Sequence, residues 1–284
     1  MPTQKNDTLE LLKLLASYMV VFIHVKFYGK LGTVAETLAR FAVPFFFLIS
    51  GFFSYKISPE KILKRIKHIA LLLLFSVVLY TVFNVAVLLF SGDIRGIISY
   101  FSNYLNITNL LKIFVFNVSF CAVHVWYLYA LLYVYIIFYF ATVLRIKEKF
   151  IFFFSLSLLA VRLILGEGFS ILGIAAPDSL VRNFAHTGVP CFSLGLLAKK
   201  YEAKLRNVPN FILFIMIAAG AAESLLFRFF IKLNELYIGS LLILFAIVVI
   251  FIKYANTWID NRREARAHAA VLDMKIRTRR KNIY

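Results

Sequence analysis

Residues 9–25 read LELLKLLASYMVVFIHV, an apolar run long enough to enter and nearly cross a bilayer. Two ionisable groups, Lys13 and His24, sit eleven residues apart within it. At about 100° per residue, eleven steps end roughly 20° from a whole number of turns, so both side chains leave one helix face, about 16 Å apart along the axis. Glu10 falls about 40° away on the same face. Ionisable groups inside an apolar span are costly and mark function by default. A helix surrounded by lipid has no use for such a stripe, whereas a helix lining a polar cleft does. Glu10 and Lys13 are also an i,i+3 pair that can neutralise each other.

The rest of the chain fits a membrane setting. Of 284 residues, 62% are hydrophobic and 31 are Phe, with a mean hydropathy of +0.83, well above soluble domains. The fold class expected is all-α, a polytopic transmembrane helix bundle. Eight spans are predicted, at residues 9–25, 41–55, 68–90, 123–143, 150–165, 183–197, 211–230 and 236–253. Helices are favoured because each satisfies its own backbone, and no alternating strands suggest a barrel. The first run lacks a small-residue cleavage site and reads as a retained helix.

The net charge of +18 does not point to nucleic acid, because the Lys and Arg cluster between apolar runs. With the N-terminus in the cytoplasm, the larger share of the 32 basic residues falls on the inner side. The outer connection 91–122 contains an apolar stretch, residues 107–116, expected as a re-entrant or interfacial helix. Residues 1–257 form the membrane domain, and 258–284 a basic polar cytoplasmic tail. Cys121 and Cys191 are too few for a disulfide framework and read as small buried hydrophobes.

In this topology His24, His124 and His186 share the outer level. No carboxylate or Cys stands at metal-ligand spacing from them, so no metal is expected. Each has a plainer role available: His186 as an interfacial residue, and His124 with Trp126 as part of an aromatic belt. The run Lys61, Lys64, Arg65, Lys67 is a topology signal that can also hold phosphates. Ser50, Gly51 and Pro44 suit close helix approach or a kink.

Taken in order, these segments resemble the acyltransferase 3 family of multi-span membrane acyltransferases. The family carries a basic residue and a His in its first helix, here Lys13 and His24 within ELLKLLASYMVVFIHV. Its Phe-rich second helix ends in Ser-Gly-aromatic, here FAVPFFFLISGFF with Ser50 and Gly51. Basic residues open its third helix, here LKRIKH with Arg65. A His-x-Trp segment opens a later one, here HVWYLYAL with His124 and Trp126. RNFAHTGVPCFSLGLLAKKYE resembles its helix with Gly-x-Pro and Leu-Gly. The chain departs in having Glu10 and Lys13 where Asp and Arg are frequent, and in lacking late family helices, about ten being usual. RAHAAVLDMKIRTRRKN faintly resembles the opening of an alanine-racemase-like domain.

The resemblance implies an integral membrane enzyme moving an acyl group, commonly acetyl, from cytoplasmic acyl-CoA to a hydroxyl of an extracytoplasmic carbohydrate or envelope acceptor. It implies His24 as base with Lys13 and Glu10 beside it, and Arg65, Lys64 and Lys67 on the donor phosphates. His124 and Trp126 would position the acceptor. Acyl-CoA is then a substrate, with no permanently bound cofactor, and the setting a cell membrane. Two alternatives remain open: a transporter of a small polar metabolite, using Lys13, Glu10 and His24 as a substrate or proton path, and an inactive truncated remnant.

Overall fold

The computed structural model describes residues 7–25, 27–174, 177–231 and 236–254. The described residues are helical, with no strand. In chain order the main helices are α1 (Asp7–His24), α2 (Gly29–Phe52), α3 (Pro59–Phe90), α4 (Ile94–Leu105), α5 (Ile107–Phe116), α6 (Val123–Val143), α7 (Glu148–Ile171), α8 (Val189–Lys200), α9 (Asn210–Ile231) and α10 (Ile238–Tyr254). A π-turn, Phe184–Gly188, leads directly into α8.

Five of these helices, α2, α3, α6, α7 and α9, are long and apolar enough to cross a membrane. The other three expected spans are helical too, but α8 and α10 are shorter and α1 carries Asp7, Glu10 and Lys13 within 18 residues. The tail expected at 258–284 lies outside the described residues.

Two boundaries differ from the sequence expectation. The second span begins at Gly29 rather than near residue 41. Glu36 and Arg40 are one turn apart on the same helix and pair at 2.7 Å, so the helix runs through them. The third span begins at Pro59 rather than 68. Proline at the first helical position leaves no backbone N–H unpaired there, and the basic run Lys61–Lys67 is carried on the helix. In the connection 91–122, α5 is the helix anticipated at 107–116, and α4 is an additional amphipathic one. Asp93 caps α4 through the Gly96 N–H (2.8 Å), and Asn106 caps α5 through that of Thr108 (2.9 Å).

The bundle is organised around α2. Its most extensive neighbour is α8, while α1 packs along another side and α10 closes the core. Phe45, Leu48 and Phe52 of α2 meet Leu244, Val248 and Phe251 of α10, all nearly inaccessible. The α2–α8 crossing depends on two glycines. A β-carbon at Gly51 would overlap the Phe192 carbonyl, and one at Gly195 the Leu48 carbonyl. Small residues let helix backbones approach this closely, as is common where dispersion rather than water expulsion drives packing. On the opposite flank α3 packs against α6, and α7 against α8. The start of α10 is held by two carboxylates from other helices. The Ile238 N–H donates to Glu167 (2.5 Å) and the Gly239 N–H to Glu223 (2.8 Å). Negative charge at a helix N-terminus satisfies its free N–H groups and complements its dipole.

Candidate functional site

Along α1, Ala16 is buried, with Leu12, Met19 and Val20 packed on the same core. At about 100° per residue, Lys13, Ser17 and His24 lie some 60–100° round from Ala16. The polar stripe therefore runs along the edge of the packed face rather than opposite it. Lys13 Nζ is 3.3 Å from Glu10 Oε1, with the two side chains 40% and 53% uncovered by protein. Both halves of the local pair thus keep open surface on one side.

At the far end of the stripe the chain folds back on itself. The ring of His24 meets that of His124 edge-on, centroids 5.7 Å apart, although a hundred residues separate them. His124 stands in the 3₁₀ turn Val123–Val125 that opens α6, and the Tyr80 ring of α3 also meets it edge-on, centroids 4.8 Å apart. Both histidines remain open to the surroundings. Arg40 and Arg182 lie within electrostatic reach of the His24 ring. Arg40 is held there by Glu36 (2.7 Å), which also meets Arg228 of α9 (3.3 Å). Glu36 is only 6% exposed.

His186 is at the same end of the bundle but in a different setting. Its backbone N–H donates to Asn183 Oδ1 (2.8 Å), and its Nδ1 lies 2.6 Å from the Leu180 carbonyl oxygen, a contact that requires Nδ1 to carry the proton. Among the described ring contacts, only His24 and His124 of the three histidines are paired. Asn117, wholly buried in a left-handed conformation, accepts from the Phe184 N–H (3.0 Å) and fixes the start of this π-turn. Two further π-turns, Ile164–Gly168 and Phe227–Ile231, carry Glu167 and Arg228. Helices alternate in direction, so all three turns lie at the histidine end. Such insertions are frequent at functional sites, where they re-aim a side chain.

The other end of the bundle holds the basic residues of α3. Arg65 Nη1 donates to Ser54 Oγ (2.6 Å) and Tyr135 OH (3.1 Å), and Nη2 to the Phe53 carbonyl (2.9 Å). Its guanidinium therefore ties the end of α2 to α6. Lys64 and Lys67 are exposed. The Ser50 carbonyl accepts from Ser54 Oγ (2.6 Å), and Gly51 lies in the α2–α8 crossing. Trp126 packs against Phe47, with ring centroids 6.3 Å apart.

The structure thus joins His24 with His124, places Lys13 and Glu10 lower on the same stripe, and sets Arg65, Lys64 and Lys67 at the opposite end of the bundle from the histidines. Tyr80, Glu36, Arg40 and Arg228 were not anticipated. The i,i+4 spacing of Glu36 and Arg40 was a readable signal, while Tyr80 and Arg228 come from distant segments with no local mark.

A family model described as "Acyltransferase domain", that of the acyltransferase 3 family, matches residues 6–273, nearly the whole chain. An amino-acid racemase from Enterococcus faecalis is 30% identical over 137 residues, covering 43% of this chain and 18% of that protein. The chain therefore spans less than a fifth of that relative's length. No solved structure matches.

Proposed function

The chain belongs to the acyltransferase 3 family, and on that premise we propose that it is a multi-pass enzyme of the cell membrane that transfers an acyl group, acetyl in the simplest case, from cytoplasmic acyl-CoA to a hydroxyl of an extracytoplasmic carbohydrate or other envelope acceptor. The proposed topology has eight spans, α1, α2, α3, α6, α7, α8, α9 and α10, with the N-terminus in the cytoplasm. The basic residues of α3 and of the connections after α6 and α8 then lie inside, in keeping with the positive-inside bias.

The observation that carries this reading is the contact of His24 with His124 at the end of a polar stripe that begins at Glu10 and Lys13. Lys64 and Lys67 meet the donor phosphates at the inner mouth, and Arg65 holds the end of α2 beside them. The pantetheine arm runs past Lys13, bringing the thioester to His24. Neutral imidazole of His24 takes the proton of the acceptor hydroxyl as its oxygen attacks the thioester carbonyl carbon. The carbon–sulfur bond then breaks, the CoA thiolate leaves, and the imidazolium returns the proton to it. The acceptor gains the acyl ester and no oxidant or further reactant is consumed. Arg40 and Arg182 contribute positive charge where negative charge develops on the carbonyl oxygen. His124, supported by Tyr80, orients the acceptor, with Trp126 behind it against Phe47.

The test is acyl-CoA turnover by the protein reconstituted in lipid discs, read as free CoA, together with mass spectrometry of envelope glycans from cells with and without the gene. His24→Ala is expected to lose at least a hundredfold in turnover while inserting normally. Undiminished CoA release would remove His24 as the base. Transmembrane solute flux without any CoA release would replace the enzyme reading with the transporter one.

A further inference from the structure

The groove between α6, α7 and α8 holds two adjoining cavities, one of about 250 Å³ at the basic end of the bundle and one of about 360 Å³ behind it. Phe138, Ala141, Ile151 and Leu196 line both, so they form one channel. The inner cavity is walled by Val134, Phe150, Phe154, Val189 and Phe192, with the Ser155 and Ser193 hydroxyls hydrogen-bonded to each other at 2.7 Å. From Arg145 to Val134 the channel follows eleven residues of chain, about 16 Å at 1.5 Å per helical residue. That is about half of a ~30 Å hydrocarbon core, the depth of a single leaflet. Its rim is apolar: Ile137, Phe150 and Phe154 are 41%, 64% and 61% exposed, on helices suited to lipid contact.

The mouth is chemically different. Lys56, Arg145 and Lys200 border it, with Glu148 as the one carboxylate, paired to Lys200 at 2.5 Å. The Arg145 side chain makes no hydrogen bond or ion pair with any described residue, and the Lys56 ammonium only lies 5.3 Å from the Tyr55 ring. Both hold a left-handed backbone, Arg145 at φ 52° and Lys56 at φ 54°; only one other non-glycine described residue, Asn117, does so. Arg145 is a helix-ending position of the kind glycine usually fills, with its N–H on Thr142 O (3.1 Å) and the Ile146 N–H on Ala141 O (2.9 Å). Cationic side chains thus stand at two conformationally costly positions beside the same opening.

We propose that this channel binds an anionic phospholipid of the surrounding leaflet, one acyl chain lying between α6, α7 and α8 and the phosphate resting on Arg145 and Lys56. A chain-deep apolar slot open sideways to lipid, closed at headgroup level by unpaired cations, matches that amphiphile in both length and charge. The site is separate from the His24–His124 end and does not depend on the acyl-transfer reading.

Native mass spectrometry of the purified full chain, with phosphatidylglycerol or phosphatidylcholine added at equal concentration, tests this. Phosphatidylglycerol is expected to be retained at least tenfold more than phosphatidylcholine. The paired change Lys56→Gly, Arg145→Gly should abolish that preference while leaving thermal stability equal or higher, since glycine suits both backbone positions. Lys147→Ala, which removes a nearby cation that does not line the mouth, should leave the preference intact. Equal retention of the two lipids, or an unchanged preference in the double variant, overturns the proposal. Retention of palmitoyl-CoA above phosphatidylglycerol, lost in the same variant, overturns it as well and reassigns the channel to a long-chain donor.

Discussion

Glu36 lies between two guanidinium groups, Arg40 on its own helix and Arg228 on α9, and its side chain is only 8% exposed. Removing the carboxylate that two guanidinium groups share in a buried ionic cluster costs about 3–5 kcal/mol. Glu36→Gln should lower stability by about that amount in a denaturation series in mild detergent, and should weaken turnover by releasing Arg40 from beside His24. An unshifted midpoint would mean that Arg40 and Arg228 find other partners. The Lys13–Glu10 pair is the opposite case. Both side chains are about half uncovered, and such pairs contribute about 0–1 kcal/mol. Lys13→Ala should therefore leave stability nearly unchanged while raising KM for acyl-CoA severalfold and leaving that for the acceptor alone. A matching rise in both KM values would remove Lys13 from the donor path. The spacing of Lys13 and His24 was legible because it is set by helix geometry alone. The ring contact of His24 with His124 was not, because their approach depends on how α1 and α6 are packed.

The closest helix crossing lies between α2 and α8. Gly51→Val drives methyl groups into the Phe192 carbonyl, and backbone at such a crossing has little room to yield. Overpacking of this kind costs about 1–3 kcal/mol, so a drop of several degrees in melting temperature is expected, with a smaller one for Gly51→Ala. Equal melting temperatures for all three proteins would show that the crossing is looser than described. The α10 start offers a complementary case. Glu223→Gln keeps an acceptor for the Gly239 N–H, while Glu223→Ala leaves that N–H unpaired; only the second should cost the roughly 1 kcal/mol of a lost cap. Helical periodicity and apolar length revealed these elements, but their N-terminal bounds were misjudged at Gly29 and Pro59. Polar residues occupy the added turns, where the Glu36–Arg40 pair accommodates charge on the helix.

Across the bundle, alternating helix direction sorts the connections into two sets. Arg145–Lys149 and Lys199–Arg206 belong to one end, and the segment 91–122 and the turn after α7 to the other. Cys121 and Cys191 are buried, at 6% and 0%, so they should give little background to a thiol reagent. In intact cells a membrane-impermeant maleimide should label Thr108→Cys and Leu172→Cys, and should label Lys147→Cys and Lys204→Cys only after permeabilisation. Labelling of positions 108 and 147 from the same side would refute the proposed threading.

Helix content, membrane character and the one-sided stripe of α1 follow from composition and period, because apolar length and the ~100° step act along the chain locally. Family membership was likewise readable, since its short motifs recur in order from Glu10 to Tyr201. Which groups meet was another matter: Tyr80 against His124, Arg228 on Glu36, Arg65 on Tyr135, and the cationic mouth made by Lys56, Arg145 and Lys200. These pairs join segments far apart in the chain. Their contact is set by the close crossings of packed helices, and no local pattern encodes it.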